Sequence, residues 1–304
     1  MNSFVPWDIR VTIDLFLGGM GIGAFLLALV AGYLGEPYRL LKKTAAIVSP
    51  IAVCTGLLFL ISELGRPGRF ITTLFNNNSA SVMSWGVYLQ TGFVIFAVVY
   101  ALLIIKQRDD DGIAGLIKWV GGLFAIGVGI YHGFLLSSNV GAGLWNNGAL
   151  PVMIFVSSLL TGISLVVVIN AAISTNLASS TVANETAAGK EGSTLFNINL
   201  INAVLLVVEL IAVLAWLFTL ARGSQIMSFG LNNLLSNYPV QWWLGAVVVG
   251  IVIPLLLSLY GLKVGKNGQE STTIIAAGAV LILIGGFVLK NVILVAGQIK
   301  YPLF

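Results

Sequence analysis

Apolar runs of about twenty residues, separated by short clusters rich in charged, Asn, Gly or Pro residues, recur along the whole chain. A helix that crosses the hydrocarbon of a bilayer needs about 20 consecutive apolar residues. Eight windows of that length stand out, at 14–34, 44–64, 81–105, 113–137, 148–172, 199–221, 241–263 and 272–297. The runs are continuous, whereas membrane β-barrels show alternation in segments of about 10 residues. The pattern therefore predicts an all-α integral membrane protein, a bundle of eight transmembrane helices, organised as a single transmembrane unit over 1–304. The first run lacks a basic segment followed by a small-residue cleavage site and opens on Asp14, so it reads as a retained helix and not as a signal peptide.

Two connections interrupt this rhythm. Residues 174–198 are rich in Ser, Thr, Ala and Asn and offer little apolar surface to bury, which predicts a mobile linker. Residues 222–240 are amphipathic and are expected to lie along the membrane interface.

Composition agrees with the pattern. Of 304 residues, 58% are hydrophobic and 9% charged, and the mean hydropathy is +1.01, outside the range of soluble domains. The net charge of +4 is not gathered into a basic stripe, so nucleic acid is not an expected partner. A single cysteine, Cys54, excludes a disulfide framework and a cysteine-ligated iron-sulfur cluster held by this chain alone. His132 is the only histidine. A membrane haem normally takes two axial ligands, so neither a haem nor another metal site is expected in this chain.

With an even number of spans both termini share one side. Arg10, Arg66, Arg69, Arg222 and Lys300 fall beside the termini, and Arg39, Lys42, Lys43, Lys106, Arg108, Lys118, Lys190, Lys263 and Lys266 fall opposite. Basic residues concentrate on the cytoplasmic side. Both termini are therefore expected on the outer, periplasmic side of a prokaryotic inner membrane.

Ionisable groups inside spans cost about 2.5–3.5 kcal/mol each on insertion scales, and those that persist are usually paired or functional. Asp14 opens the first run, Glu63 ends the second, His132 lies near the end of the fourth, Glu209 interrupts V-V-E-L-I in the sixth, and Lys290 lies in the eighth. Taken alone, His132 reads most simply as an interfacial histidine bonded to backbone, and Tyr131 beside it as part of an aromatic belt. Two readings of Glu209 and Lys290 stand side by side. They form a buried ion pair that fastens the sixth span to the eighth, although desolvation cancels much of such an attraction, or Glu209 takes up and releases protons under the influence of Lys290.

Four stretches together resemble a known family: D-L-F-L-G-G-M-G-I-G-A-F-L-L-A at 14–28; S-E-L-G-R-P-G-R-F at 62–70 with S-V-M-S-W-G-V-Y-L at 81–89; Y-H-G-F-L-L-S-S at 131–138 with L-W-N-N and Pro151; and K-N-V-I-L-V-A-G-Q at 290–298. The protein is similar to the membrane subunits of the polysulfide reductase (NrfD/PsrC) family. That resemblance implies a quinone-reacting subunit without haem or iron-sulfur cluster, using menaquinone or ubiquinone as substrate. It also implies a ferredoxin-like 4Fe-4S subunit and a molybdopterin catalytic subunit docked on the outer face.

The resemblance further implies a quinone headgroup near the outer face, between the first helices and Tyr131, which matches the family's tyrosine. Asp14 stands where the family carries a polar residue such as histidine. Glu63, Arg66 and Trp85 fall on the same side by the expected topology and shape the mouth of the site or brace the loop. Reduction of a quinone by two electrons also takes two protons. The site therefore calls for a hydrogen-bond donor such as Tyr131 and for acid groups such as Asp14, Glu63 and His132. Glu209, with Asn199 and Asn202 below it and Lys290 beside it, is the candidate proton path to the far side. The competing expectation is a secondary transporter or channel that uses Glu209 and Lys290, with helices broken at Pro50, Pro151 and Pro254.

Overall fold

The computed structural model describes residues 7–63, 68, 72, 75, 81–108, 112–139, 141–178, 185–265 and 272–299, except for the side chains of 174–196. Among them are α1 (Ile9–Leu34), a 3₁₀ turn (Glu36–Tyr38), α2 (Arg39–Glu63), α3 (Val82–Ile105), α4 (Gly112–Ser137), α5 (Leu150–Ala178), α6 (Glu185–Arg222) and α7 (Gln225–Asn237). A π-helical stretch (Val240–Val252) then runs directly into α8 (Ile253–Gly265), and α9 (Thr272–Gly297) follows. Eight of these segments are long and apolar enough to cross a membrane, and they coincide with the eight runs predicted from sequence. No strand occurs among the described residues.

The two chain ends meet. The Trp7 amide donates to Gln298 Oε1 at 3.0 Å, and Gln298 Nε2 donates to the Trp7 carbonyl at 2.8 Å. The start of α1 and the end of α9 therefore lie at one end of the bundle. The same end is closed by Trp145, whose ring stacks on Trp7 at 5.3 Å and whose indole N–H donates to the Ile293 carbonyl at 2.8 Å. Short α7 seals this end as well: Asn233 donates to the Ala296 carbonyl at 2.9 Å, and Gly230 lies against the backbone of Leu144. The amphipathic segment at 222–240 thus forms a helix, as its pattern predicts, and packs on the bundle end.

Two apolar cores share α1 and α5. One joins α1 to α2, α3 and α4 around Phe25, Phe93 and Tyr100; the other joins α5, α6, the π-helical stretch and α9 around Trp216, Trp242 and Leu289. The three most enclosed spans are α1, α5 and α9.

Three expectations are corrected. Residues 174–198 are largely helical, because α5 continues to Ala178 and α6 begins at Glu185, leaving only 179–184 between them outside the described residues. Ala, Glu and Lys in T-A-A-G-K-E are good helix formers and outweigh the small polar residues around them. The seventh span is wound as a π-helix for its first half. It returns to α geometry next to Pro254, whose missing N–H leaves a carbonyl one turn earlier without its usual donor. The chain also stays helical at two of the prolines: α2 runs through Pro50 without interruption, and Pro151 occupies the first turn of α5, where its lack of an N–H costs no hydrogen bond.

The π-helical stretch lies on α9 with backbone touching backbone. A methyl group at Gly250 would meet Gly285 Cα at 2.8 Å, and one at Gly285 would collide with Gly250. Replacing Gly285 with Leu is therefore expected to lower the melting temperature of the purified protein sharply. Replacing Gly115, around which nothing lies within 4 Å, should leave it nearly unchanged. Thermal unfolding in detergent checks the contrast.

Candidate functional site

The site is built on the stretch G-G-M-G-I-G of α1, Gly18 to Gly23. Without side chains on Gly18 and Gly19, polar groups from other helices reach the axis of α1. A methyl group at Gly18 would stand 3.0 Å from His132 Cε1 of α4; one at Gly19 would stand 3.0 Å from Lys290 Nζ of α9 and 2.5 Å from Ser158 Oγ of α5. One turn before Gly18, Asp14 turns toward α2, where a methyl group at Gly56 would lie 3.1 Å from its Oδ1. The Tyr131 ring rests against Gly86 of α3, a position at which any side chain would overlap the ring, and its centroid is 6.0 Å from that of His132.

Asp14, His132 and Lys290 are buried with polar atoms that lack partners, whereas Tyr131 is half-buried and the Ser158 hydroxyl donates to the Ile154 carbonyl. Asp14 is 4% exposed, His132 1% and Lys290 1%. Asp14 Oδ1, both ring nitrogens of His132 and Lys290 Nζ have no hydrogen-bond partner. Such groups are usually satisfied in native structures, and each exception calls for an explanation. The Lys290 ammonium lies over the Phe16 ring, 5.5 Å from its centroid.

Glu209 stands apart from this cluster. Its carboxyl lines a crevice between α5, α6, the π-helical stretch and α9, together with Ser157, Thr161, Gly250, Ile282 and Gly286. The crevice holds about 210 Å³ of empty space in gaps too narrow for a water molecule. Lys290 and Glu209 form no ion pair, since the ion pairs among the described residues join Arg10 to Asp8, Arg10 to Glu63 and Arg39 to Glu36. The expectation of a direct pair fastening the sixth span to the eighth is thereby corrected. The two side chains enter the interior from α6 and α9, and hydroxyl-bearing α5 presents Ser157 to one and Ser158 to the other. Asn202 lies two turns further along α6, with its Oδ1 buried and unpartnered, in a second crevice of about 210 Å³ with Asn199, Ser258 and Gly278.

The remaining expected residues fall outside the cluster. Glu63 is held by the Arg10 guanidinium, which also donates to the Ser62 carbonyl at 2.6 Å and pairs with Asp8 at 2.8 Å. It thereby clasps the start of α1 to the end of α2. The hydrogen bond from Arg10 keeps the Asp8 carboxyl below the usual carboxylate range. Trp85 is 59% exposed on the exterior of α3. Arg66 lies outside the described residues.

Sequence reasoning overlooked the hydroxyls of F-V-S-S-L-L-T on α5. Their signal was available: Ser157, Ser158 and Thr161 recur at helical spacing inside an apolar run. Thr161 and Ser158 return their hydroxyl protons to the backbone one turn earlier, whereas the buried Ser157 Oγ lies beside the Glu209 carboxyl.

An acid, an imidazole, a phenol and an amine gathered inside an apolar bundle can hold, donate and pass protons. Together with the eight spans they define a multi-pass membrane protein with ionisable groups in its interior. The sequence profile of the family described as "Polysulphide reductase, NrfD" matches residues 1–302, and the chain belongs to this NrfD/PsrC family of membrane subunits of oxidoreductase complexes. The C subunit of polysulfide reductase from Wolinella succinogenes is 26% identical, with 97% of this protein and 95% of the relative aligned. Protein NrfD of Escherichia coli is 28% identical over 96% of this protein and 95% of its own length. A NrfD homolog of Haemophilus influenzae is 26% identical over 96% and 94%.

A lone buried ammonium is costly where no partner offsets its desolvation. Lys290→Met is therefore expected to leave the melting temperature unchanged or raise it. A fall of several degrees would instead show that Lys290 holds the bundle together.

Proposed function

We propose that this protein is the quinone-reacting membrane subunit of a respiratory complex. It exchanges electrons between the membrane quinone pool and a ferredoxin-like 4Fe-4S subunit, which in turn serves a molybdopterin catalytic subunit. The observation that supports the proposal is the burial of Asp14 and His132 beside Gly18 of α1, with Asp14 Oδ1 and both imidazole nitrogens unpartnered and Tyr131 next to His132 on α4. Membership of the family, and a relative named as the C subunit of polysulfide reductase, support the same reading.

In this reading the end that carries both termini faces the periplasm and docks the iron-sulfur subunit. Tyr131 offers its hydroxyl to a quinone carbonyl, and Asp14 and His132 deliver or remove the protons that accompany two electrons. Tyr131 is suited to the first role because it is half-buried, stands next to His132 on α4 and has its ring held against Gly86 of α3. Glu63 and Arg10 brace the mouth without touching the chemistry. Protons reach the cluster from the opposite side by way of Asn199 and Asn202, Glu209 with Ser157, and then Lys290 with Ser158. Each proton drawn across the full membrane stores about 2.3 kcal/mol per 100 mV.

Two sets of variants test the proposal in the assembled complex. Asp14→Asn and Tyr131→Phe should each cut quinol-linked turnover about 10²-fold or more, the usual contribution of a positioned acid or base, while Glu63→Gln leaves it close to the parent. Glu209→Gln should preserve quinone turnover in detergent and abolish proton uptake from the side opposite the termini in vesicles. Wild-type turnover in Asp14→Asn would remove Asp14 from the site.

A further inference from the structure

The two crevices that hold Glu209 and Asn202 lie end to end, and one side chain, Ile282, lines both of them. Its setting on α9 is unusual. The residues three and four positions before it are Ala279 and Gly278, and those three and four positions after it are Gly285 and Gly286. In a helix these are the neighbours on the same face, one turn below and one turn above. Gly278 and Ala279 line the crevice of Asn202; Gly285 and Gly286 line the crevice of Glu209. The face of α9 thus carries only small residues on both sides of Ile282, which is itself 3% exposed; Gly250 and Thr161 fill the side of Gly285 and Gly286, whereas an added methyl group at Gly278 would meet nothing nearer than Leu257 Cβ at 3.9 Å.

The facing helix repeats the arrangement. Asn202 and Glu209 are seven residues apart on α6, two helical turns, and so share a face about 10 Å apart along the axis. In one crevice Asn202 Oδ1 is buried with no hydrogen-bond partner, and in the other Ser157 Oγ lies beside the Glu209 carboxyl. Polar groups of this kind are ordinarily satisfied by water or by one another. Here an aliphatic side chain separates them.

We infer that Ile282 is the barrier that decides from which side Glu209 receives its proton: an apolar plug between the crevice around Asn199 and Asn202 and the crevice of Glu209, both of them too narrow for water while it is seated. The inference rests on the reading of Glu209 as a proton relay and adds the element that prevents the relay from leaking. While Ile282 is seated, Asn202 and Glu209 are not in hydrogen-bonded contact. When it swings toward the space left by Gly278, water enters and the two sides connect for the transfer of one proton. No bond other than O–H is made or broken.

Because Cys54 is the only cysteine, accessibility can be read directly. In the complete complex in oriented membrane vesicles, a Cys54→Ser background would carry either Asn202→Cys or Glu209→Cys. Methanethiosulfonate ethylammonium would be applied from each side. Asn202→Cys should react from the side opposite the termini, and Glu209→Cys should be protected from both sides. Adding Ile282→Ala should speed the reaction of Glu209→Cys from the Asn202 side about tenfold or more, the ratio given by a loss of roughly 1.4 kcal/mol of closing free energy. Asn202→Cys should be unaffected by Ile282→Ala. If Ile282→Ala prevents assembly, Ile282→Val should move the rate in the same direction by a smaller factor.

The inference is overturned by any of three outcomes: Glu209→Cys reacting as fast as Asn202→Cys with Ile282 intact, Glu209→Cys staying protected after Ile282 is shortened, or Asn202→Cys failing to react. Failure of the relay reading looks different. In that case Glu209→Gln retains proton uptake while the labelling pattern around Ile282 is as described.

Discussion

The structure depends on how closely other helices can approach α1. Gly18 and Gly19 remove two side chains from the face that meets α4, α5 and α9, and this alone admits an imidazole, an ammonium and a serine hydroxyl to the centre of an apolar bundle. Packing between membrane helices draws little on hydrophobic burial, because lipid tails are as apolar as Leu; close backbone contact and interhelical hydrogen bonds take its place. The same device recurs wherever two of the family-like stretches meet. Gly86 of M-S-W-G seats the Tyr131 ring, Gly133 of Y-H-G-F seats Pro151, and Gly297 of A-G-Q seats Trp145 of L-W-N-N. The stretches that resemble the family are therefore complementary halves of contacts, each glycine matched to a side chain from another stretch.

Separation of Glu209 from Lys290 gives the interior its functional character. A paired carboxylate and ammonium would make a fixed strut, weakly stabilising and chemically idle. Unpaired, Lys290 sits with Ser158 on the side of Asp14 and His132, and Glu209 sits with Ser157 on the side of Asn202. Hydroxyls at consecutive positions of α5 point into the two neighbourhoods and join them without closing a static bridge. The π-helical stretch that walls the Glu209 crevice adds to this. Wide helical turns of this kind are often found at functional positions, and it meets α9 through a glycine contact, Gly250 on Gly285.

Much of this was legible in the sequence, for identifiable reasons. Spans declare themselves by length and apolarity, which is why all eight runs match helices. The few ionisable residues inside them were marked by their cost in hydrocarbon, and Asp14, His132, Glu209 and Lys290 are all buried as that argument requires. What the sequence did not disclose was which of them meet, because that depends on helix rotation and on glycines whose value lies in what they omit. Glu63 looked like a site acid and is a clasp, since its partner Arg10 lies 53 residues away and only the fold brings them together. The helical start of α6 was hidden by a composition that also suits a linker. Ile282 was invisible as one isoleucine among many until its small neighbours were placed along two crevices.

The central claim is that the quinone reacts at the glycine face of α1, against Asp14, Tyr131 and His132. Its most direct test is photolabelling of the assembled complex with an azido-quinone, followed by mapping of the modified peptides. The account predicts label in α1 between Val11 and Gly19 and in α4 around Val128–Gly133, lost when excess quinone is added. Competable label confined to the lipid-facing sides of α3 or α8, with α1 and α4 unmodified, would contradict it.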